Sequence, residues 1–493
     1  MALFKILKKN SKIFPNKIAL VIENYEYSYK LIYELVLQTI QNFSDNNFNK
    51  NSKVVIVEDN SLAHVLSLFA LSYLNATVVP TGRYYSKNHL LDIIKITNAN
   101  SIIAGKGDCF FFKKKTKIKN YICTEKSKKL PFFFKKNELI NLENKKIDIK
   151  KDYIITMSSG STSKPKLIIF SQKTKIIRNK LFKNLYRINS KDNIIVTGPI
   201  DHSLGMRTLF VPLLNGCTCV IMSNFQIPKY CELIKKYSIT FSVLVANQLY
   251  DLINSRKYFK NFYLKKGLVS TSAKLLPNAK KKIIQKKIHL FEMYGAAEIG
   301  TVTNLDINKN KKFLSSVGKS YNKSIRIKIL SKNNKFLGPG SVGEIICKTP
   351  GKFNMYHNSK ELNKKAFFKG YFRTGDLGYM NKEKYLYFKS RVKNTIRRSG
   401  ITIYPEDIEK AFINDKNIKE VAAIGKELKR KTLIFLFIIK RKDIQESYIR
   451  TICLKKLSTF QFPNKIIFLK KFPKTNLGKI NKIKLLRNFR QFS

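Results

Sequence analysis

Tyr153-Ile154-Ile155-Thr156-Met157 runs straight into Ser158-Ser159-Gly160-Ser161-Thr162-Ser163-Lys164-Pro165-Lys166. A short apolar strand empties into a loop of small hydroxyl residues, one glycine and two lysines. Backbone N–H groups, hydroxyls and an ammonium are the donors that wrap phosphate oxygens, so the loop reads as a phosphate site or, taken alone, equally as a flexible polar loop. The GxxxxGK[ST] spacing is absent, which excludes a Walker loop. Along the chain, apolar β-like runs alternate with amphipathic helical stretches, which argues for α/β architecture rather than a helical array.

Upstream the same rhythm recurs. Lys17 to Val21 and Tyr25 to Tyr29 read as two short strands, followed by a helix through Gln41. Lys53-Val54-Val55-Ile56-Val57 reads as a buried strand ending at Glu58-Asp59-Asn60. Leu62 to Pro80 is the most apolar span, but His64, Ser67, Ser72 and Asn75 interrupt it. It predicts a core helix running into the strand Ala76-Thr77-Val78-Val79 rather than a membrane helix. Further strands are expected at Ser101–Ala104 and Ile194–Thr197, and Phe110 to Lys150 as a lysine-rich, weakly patterned surface region. From about Gly318 the pattern shifts to short strands with turns, such as Gly338-Pro339-Gly340 before Val342–Ile346, and after Lys393 to a separate small α/β unit.

Four more segments fall in order behind the loop: Tyr294-Gly295-Ala296-Ala297-Glu298, Tyr371-Phe372-Arg373-Thr374-Gly375-Asp376, Ser390 to Gly400 running into Ile403–Glu409, and Phe472-Pro473-Lys474-Thr475-Asn476-Leu477-Gly478-Lys479-Ile480. Together with the loop they resemble the motifs of the adenylate-forming superfamily of acyl-CoA synthetases, peptide-synthetase adenylation domains and luciferases. The resemblance covers nearly the whole chain. It implies an α/β fold with a large N-terminal domain of mixed β-sheets flanked by helices, residues 1–392, and a small mobile C-terminal α/β domain, residues 393–493.

The resemblance also implies a chemistry. Ser158, Ser159, Gly160, Ser161, Thr162 and Lys166 would hold the ATP phosphates, with Ser272, Ala273 and Gly295 lining the nucleotide site. Glu298 would ligate Mg²⁺, a hard cation that favours oxygen. Tyr294 would stack on adenine, and Asp376 would accept from the ribose hydroxyls with Arg391 nearby. Lys479 would bridge the substrate carboxylate and the α-phosphate electrostatically. Lys393 would be the hinge about which the C-terminal domain turns, bringing Gly400 to the thiol. His202, in Gly198-Pro199-Ile200-Asp201-His202-Ser203-Leu204-Gly205, resembles the gate of the acyl pocket in acyl- and aryl-CoA ligases. The implied activity is adenylation of a fatty or aryl acid, then acyl transfer to coenzyme A or to the phosphopantetheine of an acidic acyl carrier protein. Departures from the family pattern are Ser163, Leu167, Ala297, Ser390 and Asn394.

Composition bounds the rest. With 95 basic and 32 acidic residues the formal net charge is +63. Such charge attracts polyanions, and a degenerate scaffold with a basic nucleic-acid-binding surface is the competing expectation. The lysines are spread along the chain and accompanied by many Ile and Asn and no Trp, a pattern of A/T-rich codons, so no specific nucleic acid is expected. Seven irregularly spaced cysteines suggest no disulfide framework and a cytoplasmic setting. Cys217 and Cys219 lack a matching Cys or His pair, so alternate positions on a buried strand are expected rather than zinc. The N-terminal Met1 to Lys9 is basic and amphipathic without a long apolar run, unlike a secretory signal, and leaves peripheral membrane contact open.

Overall fold

The computed structural model describes residues 1–124, 145–157, 166–273, 275–398, 401–428, 431–474 and 480–487. The chain forms two compact units. The first holds residues 1–158, 165–314 and 349–364, and the second holds 159–164, 315–348 and 365–493.

The first unit begins with α1 (Leu3–Ile13), β1 (Ile18–Ile22), β2 (Tyr25–Ser28), α2 (Tyr29–Asp45), β3 (Lys53–Val57), α3 (Leu62–Leu74) and β4 (Thr77–Thr81). It continues through α4 (Lys87–Thr97), β5 (Ser101–Gly105), α5 (Lys106–Lys115), β6 (Asn120–Thr124), β7 (Asp152–Met157), β8 (Leu167–Ser171) and α6 (Gln172–Tyr186). Then come β9 (Asn193–Val196), α7 (Ser203–Leu214), β10 (Thr218–Ile221), α8 (Ile227–Lys236), β11 (Phe241–Val245), α9 (Ala246–Asn254) and α10 (Arg256–Lys260). Last are β12 (Gly267–Thr271), α11 (Pro277–Gln285), β13 (Leu290–Ala296), β14 (Gly300–Asp306) and the short strand Met355–Tyr356.

Two sheets result. Strands of this unit pair in the order β14-β13-β12-β11-β9-β10-β1-β2 in one, and Met355–Tyr356 then β8-β7-β4-β3-β5-β6 in the other. Most pairs are parallel, and antiparallel pairs sit at β13–β14, β1–β2, β7–β8 and between β8 and Met355–Tyr356. Parallel sheets need helices over their faces, which is what the alternating βα rhythm supplies. Every residue of α3 is buried. A helix apolar all round belongs in a core, and one cluster joins α3 to α1, α2, α7 and strands of both sheets. Leu3, Phe4 and Leu7 turn the apolar face of α1 into it.

The expected early strands and the core helix are all present. Phe110 to Lys150 departs from expectation, because it contains the end of α5 and all of β6, which pairs in parallel with β5. β6 is a five-residue edge strand with Ile122 buried on one face and Tyr121 partly buried on the other, so its sequence lacks the alternation that marks a half-buried strand. Among the described residues no helix is long and apolar enough to cross a membrane.

In the second unit, Arg326–Leu330, Gly343–Lys348, Tyr371–Met380 and Leu386–Arg391 form an antiparallel sheet. A hairpin (Ile396–Arg398, Ile401–Ile403) and the helix Pro405–Lys410 follow. A three-stranded sheet of Ile418–Leu428, Lys431–Lys440 and Lys465–Phe468 then packs with Glu446–Lys456 around Phe412, Ile434, Leu436 and Ile438.

Candidate active site

The tightest geometry is the β13–β14 hairpin. Its register slips between Tyr294 and Gly295, and a Cβ at Gly295 would lie 1.9 Å from the Gly300 carbonyl oxygen. Only glycine fits that approach. Gly300 itself has φ +72°. Glu298 sits at the tip, between Ala296, whose carbonyl accepts from Ile299 N at 3.2 Å, and the start of β14.

The tip is anchored from two sides. Arg178 on α6 donates to Ala297 O at 2.9 Å through Nη1 and to Gly351 O at 2.7 Å through Nε. Glu298 O accepts from Phe353 N at 2.6 Å, and its Oε1 accepts from the Tyr356 hydroxyl at 2.9 Å. Burial first, and the Glu298 carboxylate second, push the Tyr356 hydroxyl pKa well up, so it remains a donor. Lys166, just ahead of β8, holds its ammonium 5.1 Å from the Tyr356 ring centroid. A cation and an acid separated along the chain thus converge on one tyrosine. Tyr356 and Arg178 escaped the sequence reading, because neither stands in a motif and both act through tertiary contact.

β12 and β13 run parallel with Ser270 opposite Glu292, so the residues leaving their C-terminal ends emerge on one side of the sheet. Ser272 and Ala273 follow β12 there, and Tyr294 lies near the C-terminal end of β13. Ser272 adopts φ +73°, an uncommon conformation for serine, and Tyr294 is half-buried. The turn is pinned from behind: Leu275 N donates to Glu292 Oε1 at 2.9 Å, and the buried Lys280 ammonium pairs with the other Glu292 oxygen.

His202 occupies the position just before α7, with its side chain not used to cap the helix. Its loop is held by Asn60, whose amide donates to Gly198 O at 3.1 Å and Met222 O at 2.8 Å and accepts from Ile200 N at 2.9 Å. A Cβ at Gly205 would meet Pro199 O at 1.9 Å, so glycine there lets the helix close onto the loop. The sequence shows Asn60 only as the end of a strand; its anchoring role depends on a loop well over a hundred positions away.

In the second unit, Asp376 and Arg391 are register partners on adjacent strands, with Arg391 Nε 2.7 Å from Asp376 Oδ1. The Asp376 side chain is 4% exposed and that of Arg391 45%. Gly375 (φ +69°) makes the bend, while Thr374 donates to Ile345 O at 2.6 Å and accepts from Asp376 N at 3.0 Å. Lys393 is exposed on the 3₁₀ turn Val392–Asn394. Ser158, Ser159, Gly160, Ser161, Thr162, Gly400 and Lys479 lie outside the described residues. Among the described residues no group of three His, Cys, Asp or Glu side chains could hold a metal. A lone carboxylate beside polyphosphate suits magnesium, which keeps several waters.

A model of the AMP-binding enzyme family matches residues 7–357, and one of the AMP-binding enzyme C-terminal domain matches 407–479. The chain is 26% identical over 488 residues to a 2-succinylbenzoate–CoA ligase of Listeria monocytogenes, covering 97% of this chain and 98% of that one. It is 25% identical over 336 residues to an indoleacetate–CoA ligase of Aromatoleum aromaticum, covering 67% of this chain and 66% of that one. Among solved structures, o-succinylbenzoate CoA synthetase of Bacillus subtilis with its acyl-adenylate superposes with TM-score 0.88 at 19% identity, covering 98% of both chains. ATP-bound MatB of Rhodopseudomonas palustris gives 0.89 at 18% identity, covering 99% of both.

Proposed function

The chain belongs to the AMP-binding enzyme family and is an AMP-forming acid–thiol ligase, and we propose that it converts an aryl carboxylic acid to its coenzyme A thioester. The observation that carries this is the convergence of Lys166, Tyr356 and Glu298 within the first unit. A hard oxygen donor held in place by a tyrosine, with an ammonium over that tyrosine's ring, suits a magnesium–triphosphate complex. The aryl choice draws on relatives named for indoleacetate and 2-succinylbenzoate.

In this reading the loop Ser158–Lys166 holds the phosphates and Glu298 the magnesium. Tyr294 stacks on adenine beside Ser272, Ala273 and Gly295, and Asp376 takes the ribose hydroxyls, with Arg391 fixing its carboxylate. The substrate carboxylate attacks the α-phosphorus and displaces pyrophosphate, with Lys479 bearing the charge that develops on both groups. The thiol of coenzyme A then attacks the acyl carbonyl and AMP leaves. Turning the C-terminal domain about Lys393 would exchange Lys479 for the segment around Gly400 between these steps. His202 stands at the acid pocket.

The test is pyrophosphate release with ATP, Mg²⁺ and a panel of short, medium, long and aromatic acids, with Lys479→Ala as control. Release with aromatic acids, abolished in the variant and followed by formation of the CoA thioester, is expected. Release confined to alkyl acids would refute the aryl assignment. Acylation of carrier protein in place of coenzyme A would overturn the acceptor.

A further inference from the structure

His202 does not stand alone at the head of α7. Its Nε2 lies 3.1 Å from the Tyr84 hydroxyl, and that hydroxyl donates to the Asp201 carboxylate. The Tyr84 ring folds back over its own backbone: a Cβ at Gly82 would lie 2.0 Å from its Cε1. Any side chain at 82 would expel the ring. Tyr85 packs against the ring at 4.6 Å between centroids. Asp201 is 5% exposed, and its loop is already fixed by Asn60 and Gly205. Three polar groups from two loops are therefore held in register by their backbones.

The direction of each bond follows from counting protons. A phenol has one, and an ionised carboxylate only accepts. The charge-assisted bond to Asp201 is the stronger claim on that proton. Burial, then the Asp201 carboxylate, keep the Tyr84 hydroxyl protonated by pushing its pKa far up. Towards His202, Tyr84 offers only a lone pair, so Nε2 of His202 must carry hydrogen whether the ring is neutral or charged. We propose that Tyr84 and Asp201 form a latch that fixes the ring orientation and the Nε2-protonated form of His202, making Tyr84 a positioning residue for the acid pocket. The latch rests on the reading of His202 as the residue at that pocket.

Tyr84→Phe removes one hydroxyl from a ring that is 43% exposed, which leaves the packing in place. The first readout is the ¹⁵N spectrum of protein labelled at its five histidines, with His202 signals identified by their loss in His202→Gln. The wild-type ring is expected to be Nε2-protonated, and Tyr84→Phe to shift it towards a tautomer mixture. The second readout is kinetic. Tyr84→Phe should raise KM for the acid about fivefold to tenfold, the size of one lost hydrogen bond, with KM for ATP unchanged. It should add nothing in a His202→Ala background. A wild-type ring protonated at Nδ1 alone, or unchanged His202 signals in Tyr84→Phe, would overturn the latch. Failure of the wild type to turn over any acid would count against the proposed ligase, while the ¹⁵N spectra of wild type and Tyr84→Phe would still decide the latch.

Discussion

Lys280 and Glu292 form an ion pair with side chains 0% and 2% exposed. Lys280 also donates to Leu314 O at 2.5 Å, and Glu292 accepts from Leu275 N at 2.9 Å. Removing one partner of such a pair leaves a charge in a medium that solvates it poorly, at about 3–5 kcal/mol. Lys280→Met keeps the alkyl stem and deletes the charge, so it should destabilise the first unit by about that amount. Lys280→Met combined with Glu292→Gln removes both charges and keeps an amide oxygen for Leu275 N. Its loss should fall to about 1 kcal/mol, near that of a single neutral hydrogen bond. The chain lacks tryptophan, so Phe262→Trp, at a buried position in the first unit, supplies a single fluorescent reporter for urea unfolding there. Confining the signal to one unit matters, because a chain of two units need not unfold in one step. A loss below about 1 kcal/mol in the single variant, or a double variant no more stable than the single, would show that an unpaired buried charge is not what the pair prevents. The pair also backs the turn bearing Ser272 and Ala273, so Lys280→Met should raise KM for ATP at temperatures where the unit is still folded.

Three further outcomes follow from the same contacts. Glu298→Gln keeps an acceptor for Tyr356 and deletes the charge, so the magnesium concentration for half-maximal pyrophosphate release should rise about tenfold or more, as expected for loss of a charged contact; an unchanged magnesium titration would remove Glu298 as the ligand. Asp376→Ala should weaken ATP binding by about 1.5–3 kcal/mol through loss of charge-assisted hydrogen bonds, read as a higher KM for ATP, with pyrophosphate released per AMP unaltered. Gly205→Ala drives a methyl into Pro199 O, which stands 1.9 Å away; the loop must move, and activity with the acid should fall while magnesium dependence stays the same.

How much of this was open to the sequence depends on whether a residue's role is set by its neighbours in the chain. β3 is legible as Lys53–Val57 because a strand buried on both faces is a continuous apolar run. Gly295 and Glu298 are legible because Tyr294–Glu298 resembles a family motif, and the close approach to the Gly300 carbonyl explains the glycine at 295. The edge strand β6 is short, flanked by lysines and apolar on both faces, with Ile122 and Tyr121 in separate clusters, so no alternation marks it. Tyr84, Asn60, Arg178 and Tyr356 hide their roles for another reason. Each is a common residue type whose meaning comes from a partner 58 to more than a hundred positions away: Tyr356 to Glu298, Arg178 to Ala297, Tyr84 to Asp201, Asn60 to Ile200. The motif residues that would touch the nucleotide are local and could be read. The residues that hold them still are dispersed, and only the fold assembles them. A survey of motifs therefore names the chemistry while leaving its positioning unaccounted for, and that is where a family member with substitutions such as Ala297 can preserve geometry: Arg178 grips the Ala297 carbonyl, which any side chain at 297 would present.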